Sequence, residues 1–339
     1  MSPNVPSKLP RPWKGKQREQ NPVVFARQVE GAGGEDGVVL TLEMLQTSAY
    51  EASSGDPEKY RSTGIRSSNS YARCHSVYTV PLFVGNGQNL SVQVDTGSSD
   101  LWIASTSCSS QACKQTNGRL YNPSNSTATN ASTFEIQYVE GSVLGNIVWD
   151  TVQIGGYNID DQALAAATTV NSEPLAPDFD GVLGLALPAN SIIAGALPAQ
   201  FGNAPDGAVL ASNLFGLTPV TAAPDHRFLA LTLERPGSDA VPSRLAIGRH
   251  PSFVQDPSRV EYAQVVSGVS GAKFWEANLL DVTVYVDGQP KSIDLGASIA
   301  NGGTPTAIVD SGMPIILASV NIANGIYGAL GIGPAADGN

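Results

Sequence analysis

Residues 91–102 read SVQVDTGSSDLW. Val92 and Val94 alternate with polar neighbours, the period of two that marks a strand with one buried face. The run predicts a strand that delivers Asp95 into a turn of small residues, Thr96, Gly97, Ser98 and Ser99. Gly97 permits a tight bend and close backbone approach, and the hydroxyls of Thr96 and Ser98 are suited to bond a carboxylate. Taken alone, a polar turn closing a strand is the plainer reading. A second copy decides otherwise. Residues 307–312 read AIVDSG, where Ile308 and Val309 deliver Asp310 into Ser311-Gly312. The two aspartates stand 215 positions apart, which leaves room for a lobe around each. The repeated apolar-Asp-hydroxyl-Gly signature predicts two similar halves, each giving one carboxylate to a shared cleft.

Composition narrows the field further. The chain has 339 residues with 35 Gly and 23 Pro, which suits turn-rich β structure. Its net charge of −11 is uneven, with +2 over residues 1–75 and −13 over the remainder. An acidic body repels phosphates, so no nucleic-acid partner is expected. No stretch reads as a membrane span, and the first twenty residues lack the apolar core of a signal peptide. Three triplets, Asn89-Leu-Ser, Asn125-Ser-Thr and Asn130-Ala-Ser, are acceptor sequons for N-glycosylation. Other catalytic chemistries lack their residues. Only His75, His226 and His250 are present, without an H-E-x-x-H pair or a His/Cys cluster, so no metal is expected. No G-x-S-x-G elbow and no phosphate-binding G-x-x-x-x-G-K loop occurs.

On the two Asp loops the sequence resembles the pepsin-like aspartic proteases, of fungal type, and further motifs follow in the right order over residues 76–330. The resemblance implies an all-β, bilobal acid-protease fold. It divides the chain into an N-terminal segment over 1–70 that is flexible outside Val38–Leu45 and placed like a propeptide, an N-terminal lobe over 71–235, and a partial C-terminal lobe over 236–339. Asp95 and Asp310 become the catalytic pair, supported by Thr96, Gly97, Ser98, Ser311 and Gly312, with the Thr96 and Ser311 hydroxyls reaching the opposite loop's backbone. Thr133–Gly156 carries two alternating runs, Phe134–Tyr138 and Asn146–Ile154, around a Glu-Gly-Ser turn. It resembles the mobile flap, with Tyr138, Glu140 and Gly141 over the substrate and Trp102 bonding the Tyr138 hydroxyl. The segment FDGVLGLA at 179–186 is similar to the one beneath the active-site loop, and the likeness puts Phe179 and Val182 in the substrate pocket. Cys108 and Cys113 are spaced like the family's small disulfide loop, which implies an oxidising compartment and leaves Cys74 over. The family's activity is hydrolysis of polypeptides at acid pH by a monomer without a cofactor, secreted or vacuolar.

Strands are expected at Tyr78–Val84, Val182–Gly184, Arg244–Gly248, Val260–Val266 and across Phe274–Val286, and the first lobe is expected to end near the apolar run Phe228–Leu233. A strand and short helix are expected over Ile315–Gly331. Three departures from the family favour a second reading, an impaired binding protein or a truncated, non-functional copy. Val139 replaces a flap glycine and Met313 replaces a hydroxyl residue after the second loop. The family's second lobe also continues well past its Asp loop, whereas only 29 residues follow Asp310.

Overall fold

Alternating apolar residues between Cys74 and Gly184 build one large sheet, because each strand hides one side of its pleat against its neighbours. The computed structural model describes residues 37–48, 74–139, 141–172, 175–197, 207–217, 227–235, 241–268, 271–296 and 303–332. In chain order the first strands are β1 (Val38–Thr41), β2 (Glu43–Ser48), β3 (Cys74–Val84), β4 (Gln88–Asp95) and β5 (Leu101–Ala104). They are followed by β6 (Thr127–Gln137), β7 (Ser142–Ile154), β8 (Tyr157–Asn171) and β9 (Gly181–Gly184). Then come β10 (Leu229–Thr232), β11 (Arg244–Ile247), β12 (Glu276–Asn278), β13 (Val282–Val286), β14 (Gln289–Ile293) and β15 (Thr306–Ile308). The helices are short: α1 (Ile192–Ala196), α2 (Leu210–Leu217) and α3 (Val320–Ala329). The fold is therefore all-β with two lobes, the second incomplete.

The large sheet runs β2-β3-β4-β9-β5-β8-β7-β6, and β7 also pairs with β3. β9 lies parallel to β4 on one side and antiparallel to β5 on the other. Successive residues on β5 and β9 enter different apolar clusters. Ile103 and Leu183 join Val80, Leu82 and Val94, while Trp102 and Val182 join Phe134, Val143 and Phe179. Both faces of these central strands are thus buried, which fixes the height at which β4 releases Asp95.

A second sheet, β1-β11-β10, is antiparallel throughout and joins the first strand of the described chain to two strands about two hundred residues later. Structure was expected within residues 1–70 only over Val38–Leu45, and that stretch forms β1 and the first half of β2. Val38, Val39, Leu40 and Leu42 are buried, and β2 extends to Ser48 as the edge of the large sheet. The rest of that segment lies outside the described residues. Beyond Gly248, Pro251 and Ile293 are the only buried residues among the described ones.

The second lobe consists of two strand pairs, β12–β15 and β13–β14, with α3 beside the latter. The β13–β14 turn uses Asp287 and Gly288 at φ 50° and 76°, the left-handed conformations that such a two-residue turn demands. Two expected strands are not formed. Val260–Val266 and the residues before α3 carry the strand pattern, but neither forms a ladder among the described residues; the Val266 amide makes one bond, to the Glu276 carbonyl of β12 at 2.8 Å. The run Phe274–Val286 is split, with 279–281 between β12 and β13.

Candidate active site

Asp95 ends β4 and is only 6% exposed. The turn that follows folds back onto the carboxylate: the Gly97 amide donates to Oδ1 at 2.8 Å and the Ser98 hydroxyl to Oδ2 at 2.5 Å. Beneath it, the Leu185 amide donates to the Asp95 carbonyl at 2.7 Å, prolonging the β4–β9 ladder. Asp310 is delivered in the same way, two residues past β15. The Gly312 amide donates to its Oδ1 at 2.8 Å, the counterpart of the Gly97 bond. In Ser98's place stands Met313, which has no hydroxyl to offer.

The two loops hold one another by four reciprocal bonds. The Thr96 hydroxyl donates to the Val309 carbonyl at 2.8 Å and accepts from the Ser311 amide at 2.9 Å. The Ser311 hydroxyl donates to the Val94 carbonyl at 2.7 Å and accepts from the Thr96 amide at 3.1 Å. Each hydroxyl both donates and accepts, so neither loop can shift alone. The glycines allow the approach that results. A methyl on Gly97 would lie 2.4 Å from an Asp310 carboxylate oxygen, and one on Gly312 would lie 2.4 Å from Oδ1 of Asp95.

The carboxyls of Asp95 and Asp310 are near neighbours: the same methyl on Gly312 would lie within 3.2 Å of an oxygen of each. Burial raises the Asp95 carboxyl to about 6 from an ordinary 3.8; the Ser98 bond opposes this and the neighbouring Asp310 charge adds to it. Two like charges so close repel, which disfavours ionising both carboxyls together.

Around this pair the other expected residues fall into two groups. The Trp102 indole N–H donates to the Tyr138 hydroxyl at 2.8 Å, linking β5 to the β6–β7 hairpin. The hairpin turn is closed by the Tyr138 amide bonding the Gly141 carbonyl at 3.0 Å, and Val139 stands 72% exposed at its tip. Glu140 lies outside the described residues. Phe179 and Val182 are buried in one cluster with Trp102 and Phe134, Val182 on β9, which is hydrogen-bonded on both edges. Cys108 and Cys113 form a disulfide.

Several supporting residues escape the sequence motifs. Asp100 is buried and accepts from the Ser191 hydroxyl at 2.5 Å and from the Ile192 and Ile193 amides at 2.8 and 3.3 Å. It thereby ties the active-site loop to the start of α1, whose signal was Ser191 before an apolar run. Ser99 donates to the Leu187 carbonyl and the Ala186 amide to the Ser98 carbonyl. The same 185–187 stretch meets the second lobe, where the Trp275 indole N–H donates to the Leu185 carbonyl at 2.8 Å and the Leu187 amide to the Lys273 carbonyl at 3.2 Å. On the far side of β4, Arg119 spans Asp178 and the fully buried Asp180, and Asp180 also accepts from the Ser91 amide at 2.8 Å. A buried Arg–carboxylate pair leaves no local spacing signature, so only the fold reveals it.

Comparison with known proteins places these features in context. The family model for eukaryotic aspartyl protease matches residues 77–222. Pepsin A of Bos taurus is 41% identical over 134 residues, which cover 38% of this chain and 35% of that protein. Pepsin A of Sus scrofa is 40% identical over 134 residues, 38% of this chain and 34% of that protein. Gastricsin of Homo sapiens is 40% identical over 111 residues, 31% of this chain and 27% of that protein. The chain spans about a third of the length of the curated relatives it matches.

Proposed function

We propose, from the match of residues 77–222 to the eukaryotic aspartyl protease model and their likeness to pepsin A, that the chain is a pepsin-like aspartic endopeptidase whose catalytic pair is Asp95 and Asp310. One observation carries the reading: the reciprocal Thr96–Ser311 bonds bring two carboxyls from distant parts of the chain into contact.

The chemistry follows from a shared proton, a behaviour for which aspartic-protease pairs are themselves the standard case rather than a result of this geometry. A water between the carboxyls loses a proton to the ionised member and attacks the scissile carbonyl. The protonated member donates to the carbonyl oxygen, stabilising the tetrahedral intermediate. Water is the nucleophile, so no acyl-enzyme forms. The state with one proton on the pair persists only while the solution is acidic enough to keep it there, so the reaction belongs to acid pH. The hairpin carrying Tyr138, Glu140 and Gly141 closes over an extended polypeptide, with Trp102 bracing the tyrosine. The protein acts as a monomer in a secreted or vacuolar setting, where the Cys108–Cys113 bridge persists.

The test is cleavage of an acid-denatured protein between pH 3 and 6, with and without a statine-type inhibitor. Inhibitor-sensitive cleavage that falls by about 10²–10⁴-fold in Asp95→Asn is the expected result. Met313 and the exposed Val139 favour a second reading, a binding protein on the same fold. Tight inhibitor binding without turnover in the wild type would establish that alternative.

A further inference from the structure

We propose that Asn89 and Asn125 carry N-linked oligosaccharide, an inference that rests on the secreted setting proposed above. Both residues are exposed, and among the described residues neither carboxamide is engaged in a hydrogen bond. Asn89 sits at the start of β4, opposite Phe83 of β3. The parallel partner β9 begins its register only at Val92, so among the described residues the other edge of β4 at Asn89 has no strand against it. Asn125 ends a single helical turn over Pro123–Asn125, with the exposed acceptor residue Thr127 opening β6.

The two sites share one end of the lobe. The Gln88 side chain donates to the Asn122 carbonyl at 3.0 Å and accepts from the Asn122 amide at 2.7 Å, clasping the Asn125 turn to the β4 strand start. Asn89 lies six residues before Asp95 on an extended strand, about 20 Å away at the rise of a strand. Sugars there stand clear of the carboxyl pair and cover a bare strand edge, which otherwise invites pairing with a second chain.

In the transfer, the Asn amide nitrogen bonds to the anomeric carbon of an oligosaccharide held on a lipid diphosphate. The sugar–phosphate C–O bond breaks, the diphosphate leaves with the electron pair, and the amide proton passes to solvent. The experiment is production of the full chain behind a secretion leader in a yeast host, followed by an endoglycosidase that leaves one sugar per site and by peptide mass mapping. Two retained sugars are expected, at Asn89 and Asn125. Asn89→Gln and Thr127→Ala each remove one, the latter with Asn125 still in place. Transfer acts on the nascent chain, so the total cell pool is read as well as the medium and a folding failure does not mask the result. Bare Asn89 and Asn125 in protein whose Cys108–Cys113 bridge has formed would overturn the inference, as would a sugar on Asn130 with Asn125 bare. The readout is mass, so loss of protease activity leaves its outcome unaffected.

Discussion

Asp95 and Asp310 are held by unequal sets of donors. Asp95 has an amide and a hydroxyl, whereas Asp310 has the Gly312 amide and, where a hydroxyl would stand, Met313. A hydrogen bond to a charged carboxylate contributes about 1.5–3 kcal/mol. Restoring that bond favours the ionised pair, so Met313→Thr is expected to move the activity optimum to lower pH. Identical pH–rate profiles for the two proteins would reject the idea. The converse change, Ser98→Ala, is expected to raise the pH at which the pair first ionises, because burial then acts on Asp95 without opposition from that hydroxyl. At this scale the sequence was highly legible. Two short motifs announced the acids, their glycines and the bracing hydroxyls. What they could not announce was which oxygen meets which donor, since the partners stand more than two hundred positions apart.

Between residues and the whole lie the elements that aim the loops. Asp100 joins the Asp95 loop to α1 through three neutral donors, and the 185–187 stretch joins that loop to Trp275. Asp100→Ala leaves two helix-start amides without their acceptor, a loss of about 1–3 kcal/mol. Its activity is expected to fall about tenfold in kcat with KM little changed, since the substrate contacts are untouched while the loop loosens. Asp100→Asn keeps an acceptor and is expected to restore most of both losses; a melt and Michaelis kinetics on the two variants decide the matter. Pattern reading succeeded for β4, β9 and the β6–β7 hairpin because their alternation coincides with real burial. It failed for Val260–Val266, where among the described residues the strand pattern meets one backbone bond to β12, at Val266, and no ladder. For Phe179 and Val182 it was silent on packing, since an apolar run cannot say whether its far face meets a cleft or a core; both are buried with Trp102.

For the molecule as a whole, burial is lopsided. The two apolar clusters lie within residues 38–247, whereas the second lobe leaves Leu280 and Ile316 each 87% exposed and α3 without a buried side chain. Few buried contacts mean cheap local opening. Amide hydrogens over 276–332 are therefore expected to exchange well before those of β3–β9, as peptide-level exchange measurements would show. Protonation points the same way for the entire chain. Asp95, Asp100 and Asp180 are all shifted upward, foremost by burial. A carboxyl whose folded value exceeds its unfolded one binds more protons when folded, so its contribution is complete below the unfolded value and is lost as pH rises through the folded one. The melting temperature is thus expected to decline between pH 3.8 and about 6, with Asp95→Asn flattening part of that slope. A melting temperature that climbs through this window would contradict the assignment of the buried acids.

The reciprocity of the Thr96 and Ser311 bonds has a historical consequence. Residue for residue, what one loop gives the other it receives back, which is the rule obeyed by a twofold homodimer whose subunits meet through identical patches. A single polypeptide with that rule inside it is what duplication and fusion of an ancestral self-pairing gene leaves behind. Ser98 and Met313 then mark where the twin copies have drifted apart.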